Sequence, residues 1–192
     1  MGLSPQDITN ATYDPHTKAM SVIDRVQRIL HEGLVYRVSG KITGWENAAV
    51  EEYLIRTPAG SNIHWQHLHL SLGRGDIDIE MFEGPTSSAD GASLASSMIQ
   101  PNRQSSNTPT ALLFYGPTIT DDGTLLHTTW FPPTASGVGQ SASGLVGVTP
   151  GEEWVLAAGT DYLVRLTNNS GATITYGFEA LWSELDWSKA GS

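Results

Sequence analysis

The feature that most constrains this sequence is a block that occurs twice. Phe82-Glu-Gly-Pro-Thr is followed by Asp90-Gly91, and Phe114-Tyr-Gly-Pro-Thr is followed at the same spacing by Asp122-Gly123, 32 residues later. Proline cannot donate to a β-ladder and Asp-Gly favours a turn, so each copy ends a strand and redirects the chain. Two copies are too few for a repeat array. We therefore predict that they lie at corresponding edges of one β-sandwich.

From residue 33 onward the hydrophobic pattern has the period of two that is typical of strands. In the segment 63–72, this alternation predicts one face formed by Ile63, Trp65, His67 and His69. Short runs separated by Gly, Pro and Asp turns indicate an all-β antiparallel sandwich. The ten predicted strands are 34–43, 50–56, 63–72, 76–82, 94–100, 110–115, 125–131, 153–157, 161–167 and 172–183. Residues 132–151, rich in Gly, Ser and Thr, are predicted to form a long loop.

The N-terminal part has a different character. Residues 1–20 contain prolines and isolated apolar residues without periodicity, which predicts an extended arm that cannot fold alone. Residues 21–32 carry apolar side chains at helical spacing, begin with a sequence similar to a capping box and end before a glycine, which predicts a short helix. We therefore divide the chain into this arm, this helix, a β-sandwich over 33–185 and a tail over 186–192.

Composition limits the classes of function. The chain of 192 residues has no cysteine, which excludes disulfides and thiolate chemistry. The first 56 residues carry six Lys/Arg and seven Asp/Glu, whereas residues 57–192 carry four and thirteen. Such an acidic body argues against nucleic-acid binding, which needs basic patches. We expect no signal peptide, because the first residues lack its basic and apolar regions, and no membrane association, because no apolar run approaches ~20 residues.

Three histidines cluster in the predicted strand 63–72. Ligands of a metal ion must converge from one side, and in a strand His67 and His69 share a face while His64 points away. A cupin-type site would also need a glutamate three or four residues after the His-x-His motif, where this sequence has Ser71-Leu-Gly-Arg74. We therefore expect surface or subunit-contact histidines and no cofactor, with His67 and His69 as the candidates for a metal.

Three carboxylates, Asp76, Asp78 and Glu80, alternate with apolar residues in the next strand. Carboxylates on one face could bind Ca²⁺ or act in glycoside hydrolysis, but the same alternation is typical of any half-exposed strand. No nucleophile elbow and no phosphate-binding loop is present. We predict no catalytic residues and no enzyme activity.

The six tryptophans could stack on sugar rings, although scattered aromatic residues in a sandwich are more often core or interface residues. We expect most of them to pack in the core. The segment Trp130-Phe-Pro-Pro133 is the best candidate for an exposed aromatic patch.

Several of these motifs, in this order, resemble the jelly-roll capsid decoration (cement) proteins of tailed bacteriophages. The resemblance covers most of residues 22–183. It rests on the short arm and helix ending His31-Glu-Gly33, the two blocks starting at Phe82 and Phe114, and two C-terminal segments, Gly151-Glu-Glu-Trp-Val-Leu156 and Tyr162-Leu-Val-Arg-Leu-Thr-Asn168.

The resemblance implies a jelly-roll-like antiparallel β-sandwich that forms a homotrimer and binds the major capsid protein. The protein would be made in the cytoplasm of the bacterial host and would lie on the capsid exterior, linking neighbouring capsomers. We predict that the arm and helix provide the capsid contacts, through Ile8, Tyr13, Val22, Arg25, Val26, Arg28 and Ile29.

Two other classes of function remain open at this point. A phage tail, baseplate or receptor-binding protein that recognises host glycan would also suit a trimeric β-sandwich with a long loop. A cupin-like metalloenzyme or a glycan hydrolase has weaker support, because the metal-binding motif is incomplete.

Overall fold

A computed structural model of the chain describes residues 11–13, 20–22, 25–72, 76–131, 142–146 and 154–185. Only the backbone is described for residues 11–13, 20–22, 25–27, 67, 72, 142–146 and 185. One helix and sixteen strands follow one another in the described chain: β1 Ala11–Tyr13, β2 Met20–Val22, α1 Arg25–His31, β3 Val35–Trp45, β4 Val50–Arg56, β5 Asn62–Leu72, β6 Ile77–Glu83, β7 Thr86–Ala89, β8 Ala92–Ser93, β9 Met98–Ile99, β10 Leu112–Tyr115, β11 Thr118–Asp121, β12 Thr124–Phe131, β13 Ala142–Val146, β14 Trp154–Leu156, β15 Asp161–Asn168 and β16 Ile174–Leu185.

The strands form two antiparallel sheets that pack as a jelly roll. Sheet I has the order β13–β5–β16–β3–β9, with β14 also paired to β5, and sheet II has the order β12–β6–β15–β4–β10–β8. Successive strands β3, β4, β5 and β6 alternate between the sheets, and β14, β15 and β16 alternate again on the return path. This is the double Greek key of a jelly roll. The prediction of a jelly-roll-like antiparallel sandwich with one short helix is confirmed.

The core lies between the two sheets and is rich in aromatic residues. Its largest fully buried side chains include Trp45, Trp182, Tyr36 and Tyr176. The Trp65 and Trp182 rings stack with centroids 6.0 Å apart. These rings come from sheet I, and Tyr53 and Tyr162 of sheet II also belong to the core. Large rings bury much apolar area, which stabilises a sandwich that has no disulfides.

Residues 84–123 are inserted between β6 and β12, which pair as neighbours in sheet II. The insertion contains both Gly-Pro-Thr blocks. It adds β10 and β8 to one side of sheet II and β9 to one side of sheet I. Much of the predicted strand 94–100 is instead a 3₁₀ turn, Ala95–Ser97, followed by the two residues of β9.

The N-terminal predictions need correction. The helix begins at Arg25 rather than at residue 21, and Val22 belongs to β2, which pairs with β1 through Ala11. The predicted helical stripe through Val22 therefore does not exist, and Ser21 lies in the same strand instead of capping the helix. Residues 1–10 and 186–192 of the predicted arm and tail lie outside the described residues.

Two further differences concern loops and membrane segments. Residues 142–146, predicted as part of a long loop, form β13 at the edge of sheet I, and the rest of 132–151 lies outside the described residues. Among the described residues, no helix is long and apolar enough to cross a bilayer.

Candidate functional site

The two copies of the repeated block meet each other on the outside of sheet II. We call residues 84–91 and 116–123 the cap. Its two short strands, β7 and β11, pair antiparallel. The strands that lead into the copies, β6 and β10, lie inside sheet II on either side of the β15–β4 pair. The prediction that the copies lie at corresponding edges of the sandwich is therefore wrong: both belong to one face of one sheet.

The sheet beneath the cap has local pseudo-twofold symmetry. The motif Glu52-Tyr-Leu-Ile-Arg56 in β4 corresponds to Asp161-Tyr-Leu-Val-Arg165 in β15. These strands pair so that Arg56 lies opposite Asp161 and Arg165 lies opposite Glu52. The strand order β12–β6–β15 therefore mirrors β8–β10–β4. The axis passes between β15 and β4, and it relates the first copy of the block to the second.

The cap covers a small apolar cluster that is separate from the main core. Leu54 and Leu163 face away from the main core, because their neighbours along each strand, such as Tyr53 and Val164, point into it. Both leucines are nevertheless buried. They form the centre of a cross-strand row with Phe82 on one side and Phe114 on the other. The repeated phenylalanine thus packs on the outer face in both copies.

The backbone closes the cap in the same way at both ends. Gly84 N–H donates to Asp161 O at 2.9 Å, and Gly116 N–H donates to Glu52 O at 2.9 Å. The Asp-Gly glycines pack against the opposite copy. A Cβ on Gly123 would lie 2.3 Å from Glu83 O, and a Cβ on Gly91 would lie 2.4 Å from Tyr115 O. Only glycine permits these approaches, which explains why the turn residue is repeated.

Each aspartate of the repeat forms an ion pair with an arginine of the sheet. Arg165 binds both oxygens of Asp122, at 2.8 and 2.5 Å, and donates to Glu52 at 2.8 Å. Arg56 binds both oxygens of Asp90, at 3.0 and 3.1 Å, and also pairs with Asp161 at 3.0 Å. Bidentate pairs of this kind fix geometry as well as charge.

Each guanidinium group also lies over a phenylalanine ring, which belongs to the copy whose aspartate that arginine does not bind. Arg165 lies 5.1 Å from the centroid of Phe82, and Arg56 lies 5.6 Å from that of Phe114. Both distances are within the range of a cation–π contact. Each arginine therefore connects the turn of one copy to the strand end of the other, so the two copies are held as one unit.

These contacts shift the ionisation of the repeated aspartates. The hydrogen bonds from Arg165 hold the pKa of Asp122 below its ordinary value of 3.8, and those from Arg56 lower the pKa of Asp90 in the same way. A carboxyl group with a lowered pKa in the folded state stabilises the fold above its ordinary pKa. That contribution is lost as the pH falls through the lowered value. We expect the cap to weaken only in acid, below about pH 4.

Removing one arginine provides a test of the cap. Arg165→Met should lower the free energy of unfolding by about 2 kcal/mol, because Glu52 and Asp122 lose their partner while the apolar length of the side chain is kept. Arg56→Met is the matched control and should cost about half as much, because the Arg56 side chain is 36% exposed against 19% for Arg165. Urea unfolding at pH 7 measures both, and an equal or reversed order would contradict the assignment.

A second polar cluster lies between the two sheets. The hydroxyls of Tyr53 and Tyr176 are 2.8 Å apart, and Tyr115 donates to Glu51. Burial, together with the hydrogen bond to Glu51, raises the pKa of Tyr115 to about 12, and burial raises the pKa of Tyr53 as well. These phenols stay protonated at neutral pH and act as structural hydrogen-bonding groups. An apolar cavity of about 20 Å³ beside Tyr53 has room for about one water molecule.

The histidines are placed differently from the sequence prediction. A bulge in β5 pairs Trp182 with Trp65 but Leu181 with His67, so Gln66 is an extra residue. The bulge reverses the alternation. Ile63, Trp65, Leu68 and Leu70 are consequently all buried. The predicted face shared by Ile63, Trp65, His67 and His69 is therefore wrong.

The candidates for a metal are His67 and His69. His69 is half-buried and lies opposite Glu179 of β16, whereas the side chain of His67 is outside the described residues. Among the described residues, no group of three or more His, Asp or Glu side chains could hold a metal ion.

The acidic strand has the predicted alternation. Ile77, Ile79 and Met81 of β6 are buried, and the carboxylates between them are half-exposed. Asp76 accepts a hydrogen bond from the indole of Trp130, and Asp78 accepts one from the amide of Asn169. The carboxylates at 76 and 78 thus have different hydrogen-bond partners, one on β12 and one in the loop after β15.

The predicted capsid contacts divide into three groups. Ile8 is outside the described residues, and only the backbone is described for Tyr13, Val22, Arg25 and Val26. Ile29 is 9% exposed, so it packs inside this chain and is not available to a partner. Arg28 is exposed and pairs with Glu32 one helical turn later, at 2.7 Å. Arg28 is therefore the predicted contact that the structure describes on the surface.

The C-terminal end of α1 is attached to the body by side-chain amides. Asn102 donates to His31 O at 2.7 Å, Gln100 donates to Gly33 O at 2.5 Å and Asn107 donates to Glu32 O at 3.0 Å. These groups satisfy carbonyls that a helix end leaves without partners. This role was not predicted, although the amide-rich segment 100–107 is a signal in the sequence that could have revealed it.

Sequence analysis also missed the second repeated motif. The pattern of an acidic residue, Tyr, Leu, a β-branched residue and Arg occurs at 52–56 and again at 161–165. Its two arginines are the partners that the repeated aspartates need. A search for further pairs of similar segments, after the first repeat had been found, would have revealed it.

No protein-family model matches the sequence, and a search of curated proteins finds no match.

Proposed function

We propose that this protein is a structural component of a virion that binds the outside of a tailed-phage capsid and cements neighbouring capsomers. It would act as a homotrimer whose partner is the major capsid protein. The observation that carries the proposal is the jelly-roll body, in which the repeated Gly-Pro-Thr and Asp-Gly motifs of the resemblance have structural positions. Jelly rolls of this kind are common in viral capsid proteins.

The use of charged groups in the body supports a structural role. Arg56 and Arg165 hold the cap, and the carboxylate of Glu184 is buried among backbone and side-chain donors. These charged groups are thus engaged within the fold. Ion pairs that hold the cap make the body more rigid, which suits a protein that must bind a shell without changing shape.

The arrangement of the N-terminal segment supports the predicted docking role. Within the described residues, β1 pairs with β2 and with neither large sheet. The helix that follows is joined to the body at its C-terminal end, through Asn102 and its neighbours. A segment attached at one end can extend to a partner while the body stays folded. In a trimer, three such segments would add avidity without any single strong contact.

The proposed mechanism is thermodynamic. A protein that binds the assembled shell but not free capsid subunits stabilises the shell by mass action, by RT ln(1 + [L]/Kd) for each site. At a free concentration of about 100 times Kd, this amounts to about 2.7 kcal/mol per site. The stabilisation grows with the number of occupied sites, so a weak contact is sufficient when it is repeated over the capsid.

Deletion of residues 1–20 tests the docking role. We expect the shortened chain to lose co-sedimentation with purified capsids of its phage, because the segment that reaches the shell is gone. The oligomeric mass in solution and the thermal unfolding of the body should remain unchanged. A second variant, in which a Gly/Ser segment of equal length replaces residues 1–20, should also fail to bind. Full binding by either variant would contradict the proposal.

Cryo-electron microscopy of purified virions tests the location. Density for the jelly roll at capsomer junctions, in hundreds of copies, would support the decoration role. Density at the tail, or none on the shell, would overturn it and favour a receptor-binding role.

A further inference from the structure

A row of four side chains crosses the outer face of sheet II at the end opposite the cap. Strand pairing places Trp130 opposite Asp78, Asp78 opposite Thr167 and Thr167 opposite Val50. The row faces outward, because the alternate residues Ile77, Ile79 and Leu166 are buried in the main core. Four neighbouring strands span ~14 Å, which is the length of a short oligosaccharide.

The aromatic end of the row is exposed and held in position. Trp130 is 53% exposed, although it is the kind of residue that a sandwich usually buries. Its indole Nε1–H donates to Asp76 Oδ1 at 3.0 Å. This bond fixes the ring by its edge. It also uses the one polar group of the indole, so what remains for a ligand is the apolar ring. Val50, at the other end of the row, is 49% exposed.

The middle of the row is polar. Asp78 accepts a hydrogen bond from Asn169 Nδ2 at 2.7 Å, and Thr167 lies beside Asp78 on the neighbouring strand. A carboxylate can accept further bonds, and the amide keeps a donor and its carbonyl oxygen. The row therefore presents acceptors, donors and a hydroxyl between two apolar ends.

We propose that this row binds a neutral oligosaccharide. A sugar ring has an apolar face of C–H groups, which stacks on an indole, and hydroxyls at its rim, which pair with carboxylates, amides and threonine. No other part of the described surface combines an exposed tryptophan with these polar groups. The proposal goes beyond the capsid-binding function and does not rest on it.

The charge of this face selects the class of sugar. Asp76, Asp78 and Glu80 all lie on or beside the row, and Arg165, on the strand between them and β4, is engaged by Glu52 and Asp122. A sialylated or sulfated glycan would meet repulsion from these carboxylates, and among the described residues Arg165 is the cation beside the row and is already paired. The same argument excludes a phosphate-bearing ligand, so we expect neutral sugars alone to bind.

Titration of the isolated full chain tests the proposal. The probes are neutral β-1,4-linked oligosaccharides of glucose and of N-acetylglucosamine, maltooligosaccharides and galactose-containing oligosaccharides, with a sialylated and a sulfated glycan as contrasts. Chemical shifts in NMR report which residues respond. We expect at least one neutral probe to bind and to perturb the signals of Trp130 and Asn169, and the anionic probes to bind at least tenfold more weakly.

Three variants connect the binding to the row. Trp130→Ala should weaken binding at least tenfold, whereas Trp130→Phe, which keeps an aromatic face, should retain most of it. Asn169→Ala should weaken it severalfold. The matched control is Leu125→Ala, because Leu125 lies on the same strand and is 51% exposed, yet lies beside the cap. This control should bind like the original chain.

Several results would overturn the proposal. They are no binding of any neutral probe at millimolar concentration, undiminished binding by a folded Trp130→Ala variant, or equal binding of the anionic glycans. Thermal unfolding of each variant confirms that it is folded. The experiment uses no capsid, so its failure and the failure of the capsid-binding proposal are separate results.

Discussion

Replacing Glu184 by alanine should lower the free energy of unfolding by about 4 kcal/mol. The side chain is 8% exposed, and its carboxylate accepts hydrogen bonds from Thr110 N–H at 2.9 Å, Ala111 N–H at 3.0 Å and the Trp182 indole at 3.1 Å. The hydroxyl of Thr110 donates to it as well. Alanine would leave these buried donors without an acceptor, which costs more than the bonds themselves contribute.

The measurement is urea unfolding followed by circular dichroism. An unchanged slope of the unfolding free energy against urea concentration would show that only stability has changed. The stability of Glu184→Gln should lie between that of the original chain and that of Glu184→Ala, because the amide keeps one acceptor oxygen but turns an N–H donor towards other donors. Glu46→Ala, at an exposed position, is the control and should change stability by less than about 0.5 kcal/mol. A loss below about 1 kcal/mol for Glu184→Ala would show that the segment at 110–111 does not depend on this carboxylate.

Replacing Gly123 by alanine should cost about 3 kcal/mol. Gly123 has a φ of +79°, which a residue with a Cβ adopts at a cost of about 1–2 kcal/mol. Its Cβ would also lie 2.3 Å from Glu83 O and 2.7 Å from the carbonyl carbon of Gly84. These are backbone atoms of the other copy, so the cap would have to open to relieve the contact.

Gly116 separates the two effects. It belongs to the same block and has a φ of +64°, but a Cβ there would meet nothing within 4 Å. Gly116→Ala should therefore cost about 1 kcal/mol, the backbone term alone. The difference between the two variants, about 2 kcal/mol, measures the close approach of the copies across the pseudo-twofold axis. Equal losses, measured by thermal and urea unfolding, would mean that the copies do not meet as described.

Much of the secondary structure could be predicted from the sequence, because it depends on local patterns. The alternation of Ile77, Ile79 and Met81 with carboxylates predicted β6 and its buried face correctly. The strand predicted over 161–167 corresponds to β15 for the same reason. Some strands with a short or polar pattern were not predicted, among them β7, β11 and β13.

The wrong predictions have one physical cause. The strand that a segment pairs with decides its register and its buried face, which the local sequence pattern leaves open. The bulge at Gln66 reverses the face of the following residues, and only the register with β16 reveals it. Val22 has a helix-compatible sequence but pairs in a strand with Ala11. Ile29 has an apolar side chain that suits either a partner or the interior of the chain, and the fold buries it.

The strand-rich class, the two strand exits at Gly-Pro-Thr and the acidic character of the body follow from composition and from local backbone chemistry, so the amino-acid sequence is sufficient to predict them. The folded chain was needed to see that the two exits meet across an axis, that Arg56 and Arg165 neutralise Asp90 and Asp122, and that Trp130 forms a row with Asp78. The two arginine–aspartate pairs join residues that are 34 and 43 positions apart, and Trp130 and Asp78 lie on neighbouring strands. Long-range pairing of this kind depends on sheet register, which no local pattern encodes.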